Sequence, residues 1–193
     1  MVTVESRTYP ANLVREIVAK HLRVTPYDEE LYSHAVQCVK NALQVAEDYT
    51  NRIILNSEMV MEVQSQGAPV IWLPTAPVRS ITSVRVNGQD IPKDGYSWVS
   101  NAHRAILHLS TAAPEGAMVE VCATAGYEDI GAFEDLMRDN AFEMPGAVVQ
   151  AVSLMAGTFF EFSADNVVGS VAEIPSSAKS LLQPYRIYPY HGI

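Results

Sequence analysis

Residues 28 to 63 read DEELYSHAVQCVKNALQVAEDYTNRIILNSEMVMEV, and within them the hydrophobic period changes from helix to strand. Leu31, Ala35, Cys38 or Val39, Ala42, Ala46 and Tyr49 recur at three and four, while Glu30, Gln37, Asn41, Gln44 and Asp48 take the other side, which predicts an amphipathic helix over about 27–51. Asp28, Glu29 and Glu30 place negative charge in its first turn, where the helix dipole favours it, and Asn51 tolerates the left-handed conformation that closes it. From Arg52 onward, IILNSEMVMEV alternates every second residue, as a strand does.

Working outward in both directions extends the same contrast. Upstream, ANLVREIVAKHLR places Leu13, Ile17 and His21 or Leu22 on one side of a shorter helix, about 11–23, which Thr25 and Pro26 end. Downstream, APVIWLP, SITSVRV, AILHLS and AMVEVCAT keep the strand period to Tyr127, and Asn87-Gly88 is a two-residue hairpin signal because both positions favour positive φ. In AMVEVCAT, Val119, Val121 and Ala123 share a buried face, opposite Glu120, Cys122 and Thr124. Pro145 starts a third helix, about 145–162, in which Val148, Val149, Val152, Leu154, Met155, Phe159 and Phe160 leave almost no polar face. A helix apolar all round has to be covered all round, and Val149, Val152, Phe159 and Phe160 are candidates for cover by another subunit. The expected class is α+β: about four helices, one of them long, with a small antiparallel sheet or sandwich and a C-terminal arm. Residues 1–175 are expected to form one domain, with strands inside 52–127 and an acidic insertion at 128–143, and residues 176–193 the arm.

Composition narrows the function. A chain of 193 residues with 48% hydrophobic and 18% charged residues can enclose its own core. Cys38 and Cys122 are too few for a disulfide framework and read as small core residues in a reducing compartment. MVTVESRTYP carries Glu5 and Arg7 in place of an export signal's apolar stretch, so synthesis in the cytoplasm is expected. The most apolar run, 147–160, falls short of the ~20 residues that cross a bilayer. A net charge of −9 argues against a firm grip on nucleic acid, which needs clustered Lys and Arg.

Chemistry is sparse. Ser176 and Lys179 match Ser-x-x-Lys, the pattern of some serine hydrolases, but no companion motif follows, and a serine before a short helix is more often its cap. The five histidines and two cysteines show no zinc spacing, the acidic run at 28–30 lacks the alternation of a calcium loop, and the glycines form no phosphate-binding pattern. No metal or cofactor is expected. In the arm, Leu181, Leu182, Tyr185, Tyr188 and Tyr190 combine apolar area with hydroxyl tips and Arg186 adds a fork for a carboxylate, a composition suited to docking on another protein. Glu128, Asp129, Glu134, Asp135 and Asp139 are candidates for a segment facing a partner or a channel.

The order of HLRVTPYDEE, AEDYTNRII, IWLPTAPVRSITSVRV, VEVCATAGY, MPGAVVQAVSLMAGTFFE and IPSSAKSLLQPYRIY resembles the head-tail connector, or adaptor, proteins of tailed bacteriophages over almost the whole chain. Asn51 stands where such proteins often have glycine, and 128–143 is longer than expected. The resemblance implies a structural protein of the virion neck, without enzymatic activity. It implies a twelve-fold ring of copies that meets the portal on one side and a stopper or tail-completion protein on the other, and that passes double-stranded DNA without specific binding. It also implies that the C-terminal arm docks on the portal. The competing readings are a small hydrolase built on Ser176 and Lys179, and an unrelated β-rich binding module.

Overall fold

The computed structural model describes residues 1–101, 104–128, 143–164 and 174–187. Strand β1 (Val2–Thr8) precedes helix α1 (Ala11–Glu16), which continues as a π-helical turn over Ile17–His21. There the Leu22 amide reaches back five residues to the Ile17 carbonyl, and Arg23 at φ 57° ends the run, so the expected single helix over 11–23 changes its winding midway. The long helix α2 spans Glu29–Thr50. Its N-cap is Asp28, whose carboxylate accepts the Leu31 amide at 3.0 Å, and Asn51 closes it at φ 52°.

Among the described residues, eight strands fit the α+β pattern, and all pair antiparallel. β2 (Asn56–Gln64), β8 (Met118–Ala125), β4 (Val78–Val86) and β5 (Gln89–Ile91) join β1 in a five-stranded sheet of order β1-β2-β8-β4-β5. β3 (Val70–Trp72), β7 (Ala105–Leu109) and β6 (Tyr96–Ser100) form a second sheet, order β3-β7-β6. Asn87 and Gly88, both at positive φ, turn the β4–β5 hairpin. Met59, Met61, Val84, Val119 and Val121 of the larger sheet pack against Ile71, Ala105, Leu107 and Leu109 of the smaller, so the two form a sandwich with one shared core.

A second core belongs to the helices. Leu13, Ile17 and Val18 meet Ala35, Val39, Ala42, Leu43 and Ala46 of α2. Helix α3 (Gly146–Ala164) adds Val148, Ala151, Val152, Met155 and Ala156, and helix α4 (Ser176–Leu182) adds Ala178 and Leu182. The link between the cores serves both: Ile53 packs on the sandwich, whereas Ile54 and Leu55 enter the helical core. Gly126, at φ 97°, passes so close to the Leu55 carbonyl that a side chain there would collide with it. Cys38 is buried on α2, as expected of a core residue, but Cys122 lies half-buried on the outer face of β8 because its strand alternates and Val121 and Ala123 take the inside.

Candidate functional site

The C-terminal segment is the first candidate surface, and most of it is fastened down. Leu182 is fully buried, Leu181 and Tyr185 are half-buried against the helical core, and Arg186 is exposed. Leu182, a candidate of the docking arm, is thus packed with Ala178 into the chain's own helical core. A 3₁₀ turn at Gln183–Tyr185 carries the chain past Pro184 to the end of α2. There the Tyr49 hydroxyl donates to Gln183 Oε1 at 2.8 Å, the Arg186 guanidinium sits 5.3 Å from the Tyr49 ring centre, and the Ile187 amide donates to the Thr50 carbonyl at 2.8 Å. Asn51 Nδ2 donates to the Ile187 carbonyl at 3.1 Å. Tyr188 and Tyr190 lie outside the described residues.

These bonds converge on a knot of buried charge that sequence reasoning missed. Glu47 is 4% exposed; its Oε1 accepts the amides of Ile54 and Leu55 at 2.7 and 2.9 Å, and its Oε2 accepts Arg7 Nη1 from β1 at 2.9 Å. Burial pushes the Glu47 carboxyl above its ordinary pKa, against the opposing pull of these amides and of Arg7. Arg52, also buried, donates to the carbonyls of Tyr185 and Ala76, and burial pushes its pKa down. The Tyr127 hydroxyl sits near that guanidinium without a hydrogen bond of good geometry, and burial raises its pKa. An open cleft of ≈ 260 Å³ borders the knot, lined in part by Arg7, Gln44, Glu47, Asp48, Arg52 and Thr75. Its lining groups already bond one another: Arg7 to Gln44 and Glu47, Gln44 to Asp48, and the Ile53 amide to Thr75. The arrangement joins β1, α2, the strand entry and the C-terminal segment, which is the work of a structural junction.

On α3, the candidate subunit contact Val152 is fully buried in the helical core, where α3 packs against α2 and α4. Val149, Phe159 and Phe160 are half-buried, and Phe160 lies 5.6 Å from the His34 ring of α2. Phe162, not singled out from sequence, is 55% exposed. Of the acidic candidates, Glu128 pairs with Arg79, and a single bridge between residues 128 and 143 brings the ends of that segment together. Asp129, Glu134, Asp135 and Asp139 lie outside the described residues.

Ser176 and Lys179 are exposed on α4, and Pro175 occupies the capping position there without a side-chain bond, so Ser176 is the first helical residue and not the cap. Among the described residues no cluster of His, Cys, Asp and Glu has the geometry to hold a metal ion, and no helix is long and apolar enough to cross a membrane.

No protein-family model matches the chain, and no curated protein does. Solved structures do. The chain is similar to one in the virion of a native gene transfer agent particle, with TM-score 0.68 and 20% identity. It is also similar to chains in the neck of an empty gene transfer agent particle computed with C6 symmetry, TM-score 0.70 and 20% identity, and in the neck of a native particle computed with C12 symmetry, TM-score 0.67 and 19% identity. In each case the alignment covers 100% of this chain and 98% of the other. At that identity the likeness establishes a shared fold over the whole length.

Proposed function

We propose that this chain is a structural component of the neck of a phage-like particle. Copies form a ring beneath the portal, prolong the DNA channel and present their far rim to a stopper or tail-completion protein. The observation that carries this reading is the end-to-end likeness to chains of a gene transfer agent neck, in particles computed with C6 and C12 symmetry. A partial likeness would point to a shared module; one that spans all elements in order points to the same kind of building block. The net charge of −9 supports the reading, since a conduit that held DNA by counterion release would impede its passage. The role is architectural and requires no reaction.

Within this reading the docking arm begins at Arg186. The segment 174–187 is bonded to the chain's own helices, so Tyr188 and Tyr190, with the exposed Arg186, are the residues proposed to meet the portal. Val149, Phe159 and Phe160 are proposed to meet a neighbouring copy. The test is a mass measurement of the purified protein with and without its cognate portal, followed by negative-stain imaging. Rings with a central hole, formed alone or on the portal, are the expected result; a chain that stays monomeric and ignores portal overturns the proposal.

A further inference from the structure

The smaller sheet of the sandwich has one face in the core and one that none of the described residues covers. Along β7, Ala105, Leu107 and Leu109 point inward, so Arg104, Ile106 and His108 share the outer side. The register sets Trp72 of β3 and Val99 of β6 on either side of Ile106, and Val70 and Ser97 on either side of His108. Trp72 is 54% exposed, Val99 63% and Val70 39%. A tryptophan, an isoleucine and a valine in one cross-strand row make a contiguous apolar stripe, the kind of surface that marks an interaction site, and exposed tryptophan is the residue type that most often anchors one. The one charged group around the stripe is a cation, Arg104, exposed at one end; His108 lies at the other, and none of these outer residues is acidic.

The opposite end of the molecule has the complementary character. Phe160 against His34 places the end of α3 beside the start of α2, and there Tyr27, Leu31 and Phe162 are exposed at 96%, 42% and 55%. Around them stand Asp28, Glu29, Glu30 and Glu161, four exposed carboxylates, with Arg23 and His21 nearby. One chain cannot bring these two surfaces together. The sandwich is fixed at the other end of α2 by the Glu47–Arg52 knot, and a helix of 22 residues is about 33 Å long.

We infer that the outer face of the three-stranded sheet is a self-association surface, on which a second copy of this chain seats the acidic, apolar end formed by the start of α2 and the end of α3. The contact is head-to-tail: each copy uses two different surfaces, so the interaction repeats from copy to copy as a ring requires. Arg104 and His108 meet the carboxylates at the rim while Trp72, Ile106 and Val99 cover Leu31 and Phe162. This rests on the ring reading above and assigns that ring its contact.

The test is disulfide trapping in the full-length chain with Cys122→Ser as background. Val99→Cys and Leu31→Cys in one chain should give, on oxidation, a ladder that runs beyond the dimer; a mixture of the two single variants should stop at the dimer. Arg104→Glu should reduce trapping by about three- to tenfold, and adding Glu30→Arg should restore it, with melting temperatures unchanged throughout. Rings seen by negative stain, alone or on the portal, without this cross-link overturn the inference and leave the ring reading intact. So does trapping indifferent to both charge reversals, or a Trp72 that is shielded by portal and not by other copies. A chain that remains monomeric under every condition overturns the inference and the ring together.

Discussion

At its C-terminal end α2 runs into groups that are almost all spoken for. Glu47 accepts three donors, Thr50 takes the amide of Ile187, Asn51 reaches the Ile187 carbonyl, and Arg52 is held between two carbonyls contributed by residues 76 and 185. At its N-terminal end, Tyr27, Leu31 and the neighbouring Phe162 lie open, ringed by carboxylates whose only described service is the Asp28 cap. Among the described residues, the same helix is thus finished by its own chain at one end and left open at the other. Buried polar groups are costly unless paired within the fold, so the first end specifies the monomer; exposed apolar groups are tolerated until something covers them, so the second end suits assembly.

The largest effect should come from opening the knot. Glu47→Ala strands two buried amides and takes from Arg7 one of its two acceptors, and should cost about 3–5 kcal/mol in thermal or denaturant unfolding. Glu47→Gln, which keeps an acceptor for the amides, should cost less and carry a pH signature. Because the folded carboxyl binds its proton more tightly than the unfolded one, the stability it contributes is fully present below the ordinary value of 4.5 and is lost as pH rises through the raised value. The glutamine variant lacks that loss, so the gap in melting temperature between wild type and variant should move against the wild type as pH climbs, then level off. A gap independent of pH would show that the carboxyl is not perturbed by its burial.

Next in size is the C-terminal fastening. Truncation after Gln183 removes the Tyr185 carbonyl that Arg52 uses, the Ile187 pairing with Thr50 and Asn51, and the packing of Tyr185 and Ile187. It should cost about 2–4 kcal/mol in unfolding free energy. Truncation after Ile187 removes none of these and should leave stability within about 0.5 kcal/mol, while portal co-sedimentation is lost if Tyr188 and Tyr190 dock there. Equal melting temperatures for the two truncations would contradict the fastening; undiminished co-sedimentation after Ile187 would end the docking-arm proposal.

The contrast between the ends also explains what the sequence reveals. The long helix is legible because one apolar stripe runs its length and Asn51 marks its stop; β8 is legible because Val119, Val121 and Ala123 alternate with polar neighbours. Strand β1 is not, because only Val2 and Val4 alternate before the strand becomes exposed at an edge, and its partner β2 begins 48 residues after it ends. Glu47 looks like an ordinary surface acid in Ala-Glu-Asp; the available signal is its place four residues after the buried Leu43, on the apolar stripe. Val152 and Leu182 show the reverse problem: a run apolar throughout says that cover is needed and not which side the chain itself supplies. The same holds for Val70 to Leu73, where two of four apolar residues, Ile71 and Leu73, face the core and Val70 and Trp72 face out.

The smallest effect on folding should fall at the open end. Leu31 is 42% exposed, so Leu31→Lys surrenders little buried area, keeps good helix propensity and adds a cation among Asp28, Glu29 and Glu30. Its unfolding free energy should stay within about 0.5 kcal/mol of wild type, the range of ordinary surface changes. Self-association should nevertheless weaken, since the apolar contact is lost and the added charge faces Arg104. Sedimentation velocity across a concentration series, run beside Glu47→Ala, separates the two ends: the knot variant should unfold at lower temperature, and the open-end variant should melt normally and assemble poorly. A Leu31→Lys chain that melts several degrees lower would mean that this end, too, is finished by its own chain, and one that assembles as well as wild type would mean that the open end meets nothing.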